Sequence, residues 1–409
     1  MKILNITSLF ALLLFLGCNL EPLPIEPPRD SFELKLDIPS SYTSSKLIDG
    51  VQLSNGDFVV VGTATKSSGG DAYVVRFDKE GKQILKAKTF DGTLNEEISS
   101  LTIDGEENIY LCGQATDGSN TYGLVIKIST KNGDLNQIWL KHKDYGVYPT
   151  GAWFVKIFHD NNQLHIVEGL KGGTADNNKK LGLRRLDTTG MPNLAVCADA
   201  GKVAGFVAVD AAFGNGKIYA GGHTQTEQSN QAAWSTSNLC AAPTRQQYTD
   251  IKIGNSTFHY TRSIVYDNGF NYCLSNDIGT TTGVWRTIFY KTKQDNLVRD
   301  GNRYVSKDTL IPNLKDYEAT AMNKGGGINT LVYTASYALN TGDNISRTDL
   351  HLVDNIVFND AWSKKTYNIF SNQVIVTQDG GYIIIGIANN TGKVVKTNSL
   401  GDCASCMRL

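Results

Sequence analysis

Apolar residues in this chain come in short runs that end at Gly, Asn or Asp, and the same unit returns along its whole length. Residues 51–62 (VQLSNGDFVVVG) read as strand, tight turn, apolar strand, glycine, and residues 374–386 (VIVTQDGGYIIIG) repeat the unit near the other end. Five further copies lie between them, at 101–113, 157–169, 210–222, 264–275 and 321–336. The closing small residues are Gly62, Gly113, Gly169, Gly222, Ser275, Ser336 and Gly386, at spacings of 51, 56, 53, 53, 61 and 50. A second signature follows each copy: apolar, apolar, basic, apolar, polar, then Gly. Residues 74–81 (VVRFDKEG), 125–133, 183–190 and 394–401 carry it, whereas in the fourth to sixth copies only the strand persists, around Trp234, Tyr290 and Leu352.

Val, Ile, Tyr and Phe in short runs bounded by Asn-Gly or Asp-Gly are strand and hairpin signals, since tight turns need φ > 0. Phe58–Val61 and Tyr382–Ile385 do not alternate, which predicts burial of both faces between stacked sheets. No apolar stripe of helical period and length is present. Four short antiparallel strands per repeat of about 50 residues is the arithmetic of a propeller blade. The expected fold is therefore all-β: a seven-bladed β-propeller of four-stranded antiparallel blades over residues 32–409. The last repeat offers three strands, and the alternating segment Phe32–Ile38 is left over. Pairing it into blade seven would close the ring and hide a sheet edge; a three-stranded last blade is the alternative. The DGGYIIIG…VVKTNSLG cadence resembles propeller-like repeats of secreted and surface proteins of Bacteroidota, a resemblance of architecture that brings no catalytic motif.

The N-terminus reads as an address. Lys2, the apolar run Leu9–Leu16 and Gly17-Cys18 fit a signal peptide, and the run is too short to span a bilayer. Phe15-Leu16-Gly17-Cys18 resembles the bacterial lipobox, with Phe15 where the pattern prefers Leu. The resemblance implies cleavage after residue 17, lipidation of Cys18 and a membrane anchor. Residues 18–31 hold a proline-rich stretch that suits an extended tether. Asn19 in place of Asp points to the outer membrane, with the leaflet left open.

Composition narrows the function. The formal net charge is −1, which leaves no basic field for nucleic acid. Beyond Cys18, six cysteines remain (Cys112, Cys197, Cys240, Cys273, Cys403 and Cys406), an even count that permits disulfides after export. Cys403 and Cys406 lie close enough for a small terminal disulfide. The six histidines fall at non-equivalent repeat positions, and His159 and His165 are expected as exposed turn or strand residues. No motif for a metal, cofactor or catalytic centre is legible. Leu140–Trp153 and Lys291–Asp316 read as long inter-blade loops, carrying the aromatics Tyr145, Tyr148, Trp153 and Tyr304. Tyr and Trp on loops suit a protein hot spot or sugar stacking. These features favour a non-enzymatic, membrane-anchored scaffold that docks through its rim loops onto an outer-membrane protein. The alternative is a glycan-binding or polysaccharide-degrading surface propeller.

Overall fold

The computed structural model describes residues 31–36, 38, 40–85, 87–90, 94–142, 151–170, 180–192, 203–224, 229–236, 243–247, 256–279, 285–305, 314–325, 330–339, 346–354, 360–403 and 406. It is a ring of seven four-stranded antiparallel sheets. The innermost strands are Ser44–Gln52, Asn95–Ile103, Ala152–Asp160, Phe206–Gly214, Ser256–Asp267, Leu314–Lys324 and Phe370–Val376. Each repeat seen in the sequence is the hairpin of a first and a second strand. A single 3₁₀ turn, Lys131–Gly133, is the only helical element among the described residues.

The core lies between blades. Phe58, Val59, Val60 and Val61 are buried, as are Tyr382 and Ile383–Ile385, so these non-alternating runs have both faces covered. Aromatic stacks join neighbouring blades at one recurring position. Tyr110 lies over His159, His165 over Phe213, and Tyr219 over Tyr266, with centroids 6.1, 6.3 and 5.5 Å apart. This corrects the expectation that His159 and His165 are exposed, while their positions in the repeat do differ. His165 is only 2% exposed, and His159 and His165 take opposite ends of consecutive inter-blade stacks. An imidazole has the size and flatness of the phenol or phenyl it replaces.

The second signature is also scaffold. Arg76 binds Asp57 at 2.7 Å, and Lys396 binds Asp379 at 2.6 Å, each tying a third strand to the turn before the second strand of its own blade. Asp78, Asp187 and Asn398 then accept two backbone N–H groups each from the turn that follows. Gly81, Gly190 and Gly401 close those turns at φ of 84, 82 and 72°, where a side chain is strained.

These turn carboxylates set an acid limit. Burial works to raise Asp379, but the bonds from Lys396, Thr377 and Gly381 outweigh it and hold the group below the ordinary carboxylate range. Asp104 and Asp187 are lowered in the same way, against burial, by their Asn108 and Thr189 partners. A depressed carboxylate stabilises above its unfolded pKa, about 3.9 for Asp, and that contribution is lost as pH falls below it. The melting temperature should change little between pH 7 and 5 on their account and fall below about pH 4. A melting series across that range checks it.

Phe32–Lys35 is the outer strand of blade seven, antiparallel to Thr391–Thr397, with Phe32 opposite Lys396. The ring is closed by its N-terminal segment, and blade seven has four strands. Phe32 is 4% exposed and meets Phe77 of blade one edge-on at 5.8 Å. Lys393 pairs with Glu33 at 2.8 Å. Cys403 and Cys406 form a disulfide in the core beside Tyr367, Tyr382 and Val395. Cys112 and Cys273 are free and buried, and burial pushes the Cys112 thiol up to about 12, so it stays protonated.

All inner strands run from one face of the ring to the other. The face where they end carries the first hairpin of each blade and also the turn after its third strand. In blade two the turn residue Thr130 donates to Glu107 O at 2.8 Å, and in blade five Gln294 N donates to Gly269 O at 3.2 Å.

Candidate functional site: the polar channel

Every inner strand slips register by one residue at the same point. The extra residues are Ile48, Ser99, Val155, Val209, Arg262, Thr320 and Asn372. All seven line one cavity of about 350 Å³ on the ring axis. A bulge re-aims side chains and increases local twist; repeated seven times, it turns one short stretch of each blade into the channel. These positions lie near the middle of the inner strands; Ile48 and Ser99 are each fifth of nine residues.

The sequence carried a trace of the bulge in the glycine that ends four of the repeats. An added Cβ would lie 1.9 Å from Lys46 O at Gly62, 1.9 Å from Glu97 O at Gly113, 2.0 Å from Val207 O at Gly222 and 1.9 Å from Phe370 O at Gly386. The carbonyl just before the bulge rests where a side chain would begin. In blades three and six the residue facing this point is Glu168 or Ala335, one position before the Gly169 and Ser336 expected from the sequence. Gly169 lies instead under the Trp153 indole, 2.2 Å from its nearest atom to the position a Cβ would take.

In several blades the residue after the bulge locks blades together. Asp49 accepts from Ser100 Oγ at 3.2 Å and Leu101 N at 3.1 Å in blade two. Asp210 accepts from Ser263 Oγ at 2.7 Å and Ile264 N at 3.2 Å in blade five. The bulged residues add a second latch: Ser99 donates to Phe154 O at 2.5 Å and Asn372 to Leu47 O at 2.6 Å. Lys156 reaches between two blades, with Nζ 3.3 Å from Asp210 and 4.0 Å from Asp49. Burial would lower its pKa, but Asp210 and Asp49 overcome that and raise it, so the ammonium stays charged.

Three cationic residues (Lys46, Lys156, Arg262) and three carboxylates (Asp49, Glu97, Asp210) therefore line the cavity beside Ser99, Thr320, Asn372 and Gln373. The charges balance, and donors alternate with acceptors around the wall. Asp49 and Asp210 are committed as acceptors to neighbouring blades. Glu97 is exposed, with Gln114 donating to it at 2.7 Å. Among the described residues no group of three or more His, Cys, Asp or Glu could hold a metal ion.

A second cavity of about 510 Å³ opens on the rim between blades one and two, lined among others by Lys66, Asp71, Asn95, Thr116 and Asp117. Asp71 is 1% exposed and takes hydrogen bonds from Tyr42 Oη at 2.5 Å and Lys66 Nζ at 2.7 Å. Asn95 of this groove and Glu97 of the channel stand two residues apart on one strand, about 7 Å.

Two of the four aromatics expected on rim loops, Trp153 and Tyr304, lie in strands. Tyr145 and Tyr148 lie outside the described residues, as does Cys18. Trp153 belongs to the inner strand of blade three and packs against a buried cluster with Val155 and Phe206. Tyr304 lies in Arg299–Val305, the outermost strand of blade five, opposite Phe289. Lys291–Asp316, read as a long loop, contains the fourth strand Arg299–Val305, and Leu140–Trp153 begins inside the fourth strand Asn136–Lys141. Such strands cover an edge and carry few apolar residues, so their pattern does not separate them from loops. The channel residues went unseen because a bulge adds one residue without changing residue type.

No protein-family model matches this chain, and no curated protein matches it in sequence. Among solved structures it is similar to the BP39L lectin of Burkholderia pseudomallei, with TM-score 0.49 and 13% identity over 88% of this chain and 98% of that one. It is also similar to an α-L-arabinanase of Penicillium chrysogenum complexed with arabinobiose, with TM-score 0.47 and 12% identity over 90% and 98%. The GH43 endo-arabinanase of Bacillus licheniformis gives 0.35 and 15% over 69% and 94%. These likenesses bear on the fold alone. The expectation of a scaffold docking through rim loops is corrected. Of the four aromatics that reading relied on, Trp153 and Tyr304 lie in strands, and the polar groups that the structure gathers lie in the channel.

Proposed function

We propose that this chain is a glycan-directed propeller whose channel takes part of a neutral, hydroxyl-rich ligand. The observation that carries this reading is the charge-balanced wall of donors and acceptors built by seven equivalent bulges. Both cavities have the volume of small-ligand sites. Asn95 and Glu97 link them, so a saccharide chain entering the channel continues into the groove between blades one and two. Binding is favoured over cleavage because a general acid needs a transferable proton, and Asp49 and Asp210 serve as acceptors for fixed donors. Glu97, exposed in the channel, supports hydrolysis as the second reading. The proposal also keeps the lipid anchor at Cys18 and an outer-membrane location, on the strength of the apolar run that ends at Gly17-Cys18.

Calorimetric titration with mono-, di- and longer oligosaccharides, arabino-oligosaccharides among them, tests the reading. Affinity should rise with chain length. Lys156→Met, with its melting temperature checked, should lower affinity about tenfold, the worth of one lost hydrogen bond to a charged group. Absence of binding to every saccharide refutes the proposal. Depolymerisation that vanishes in Glu97→Gln would establish the second reading.

A further inference from the structure

Five large apolar side chains are exposed among the described residues: Ile84, Ile138, Met191, Val298 and Leu400, at 41, 51, 54, 49 and 63%. They are not scattered. Ile84 follows the third strand of blade one (Gly69–Phe77), Met191 that of blade three (Lys180–Asp187), Val298 that of blade five (Trp285–Lys293) and Leu400 that of blade seven. Ile138 is the third residue of the fourth strand of blade two (Asn136–Lys141), where the register slips between Lys127 and Ile128. In blades three, five and seven the turn after the third strand shows one large apolar side chain, and in blades one and two the exposed residue stands a few positions further on, where the chain turns into the fourth strand. The corresponding turns of blades four and six lie largely outside the described residues.

All five stand within about ten residues of the end of a third strand, in or just beyond the turn there, so these side chains mark the perimeter of one face, the face where the inner strands end. Single exposed apolar residues need no explanation. A ring of them spaced around a flat face fits a planar apolar partner. The chain before the ring arrives at this same face: Phe32 pairs with Lys396 at the end of the third strand of blade seven, beside the turn that holds Leu400, and its ring abuts Gly81 in the turn of blade one. Residues 18–31, with their prolines, lead there from Cys18.

We propose that this face lies on a lipid bilayer, with the five apolar side chains dipping into its interface and the channel mouth turned away. The inference rests on the lipid-anchor reading above. An acyl chain alone holds the protein near the membrane but does not orient it; a ring of shallow apolar contacts does. Charged neighbours such as Lys79, Lys82 and Lys131 occupy the same turns, the mixture that suits an interface better than a buried protein contact.

The test places single tryptophans in the full-length protein and mixes each variant with phosphatidylethanolamine–phosphatidylglycerol vesicles whose acyl chains carry bromine. Leu400→Trp and Met191→Trp report the proposed face. Ser119→Trp, in the hairpin on the opposite face, is the control. Fluorescence added by Leu400→Trp and Met191→Trp, taken against wild type, should fall at least about twofold on vesicles, as insertion at the acyl boundary requires; that of Ser119→Trp should not change. Mass measurement of Cys18 and sedimentation with vesicles run alongside. Equal or absent quenching at both faces, in protein that carries lipid and sediments with vesicles, overturns the orientation and leaves the anchor standing. Selective quenching without lipid on Cys18 refutes the anchor and upholds the face. Protein that carries no lipid and shows no quenching refutes both.

Discussion

Alanine at Gly113 is expected to destabilise the protein by about 4 kcal/mol or more, the range of the severest single substitutions. The reason is geometric. A Cβ there would stand 1.9 Å from Glu97 O and 2.9 Å from Glu97 C, and both are backbone atoms that no rotamer change can clear. Blades three, five and six carry Glu168, Ser275 and Ala335 opposite their bulges, so a wider bulge can exist. Blade two would have to open in the same way, against its latches: Ser99 bonded to Phe154 O, and Ser100 and Leu101 bonded to Asp49. Gly105→Ala is the control, since nothing lies within 4 Å of its added carbon; its effect should stay within about 0.5 kcal/mol. Thermal melting of the two variants side by side decides it. Equal melting temperatures would mean that the carbonyl does not approach as described.

Removal of residues 32–38 should be the second severe change. It strips Phe32 and Leu36, 4% and 1% exposed, from the seam between blades seven and one. Losing one large buried apolar side chain costs about 2–5 kcal/mol, so the pair approaches the whole stability of an ordinary domain, about 5–15 kcal/mol. It also bares Thr391–Thr397, whose free N–H and C=O groups would template association. The truncated protein should melt many degrees lower and aggregate, and a synthetic peptide of residues 32–38 added in excess should restore part of the loss. A melting temperature within a degree or two of wild type would show that the strand contributes little.

Much of the fold was legible because two demands repeat in the sequence. Hairpins need Asn-Gly or Asp-Gly, and strands buried on both faces need unbroken runs such as Tyr382–Ile385. The spare alternating segment at Phe32 was readable for the same reason: seven repeats left one strand over. The site was harder to see. Asp49, Lys156 and Asp210 occupy the same repeat position, yet one charge has the opposite sign, and only the ring brings them together. Fourth strands such as Asn136–Lys141 and Arg299–Val305 escaped notice because an outer strand has little apolar surface to bury. Tyr304 lies in such a strand, whereas Trp153 stands near the start of an inner one.

The closing strand has a bearing on how the protein is made. Phe32–Lys35 leaves the ribosome among the first residues of the folded body, and its partner Thr391–Thr397 among the last. During synthesis the first strand has nothing to pair with, so the circle cannot lock until residues 391–397 have been made. Blades one to six can zip up in order as they emerge. The final join is one late event between the two ends, and a product cut short before residue 391 would keep both edges of its sheet array open. Such a fragment is an aggregation hazard, and a chain that reaches residue 397 escapes it only at the last step.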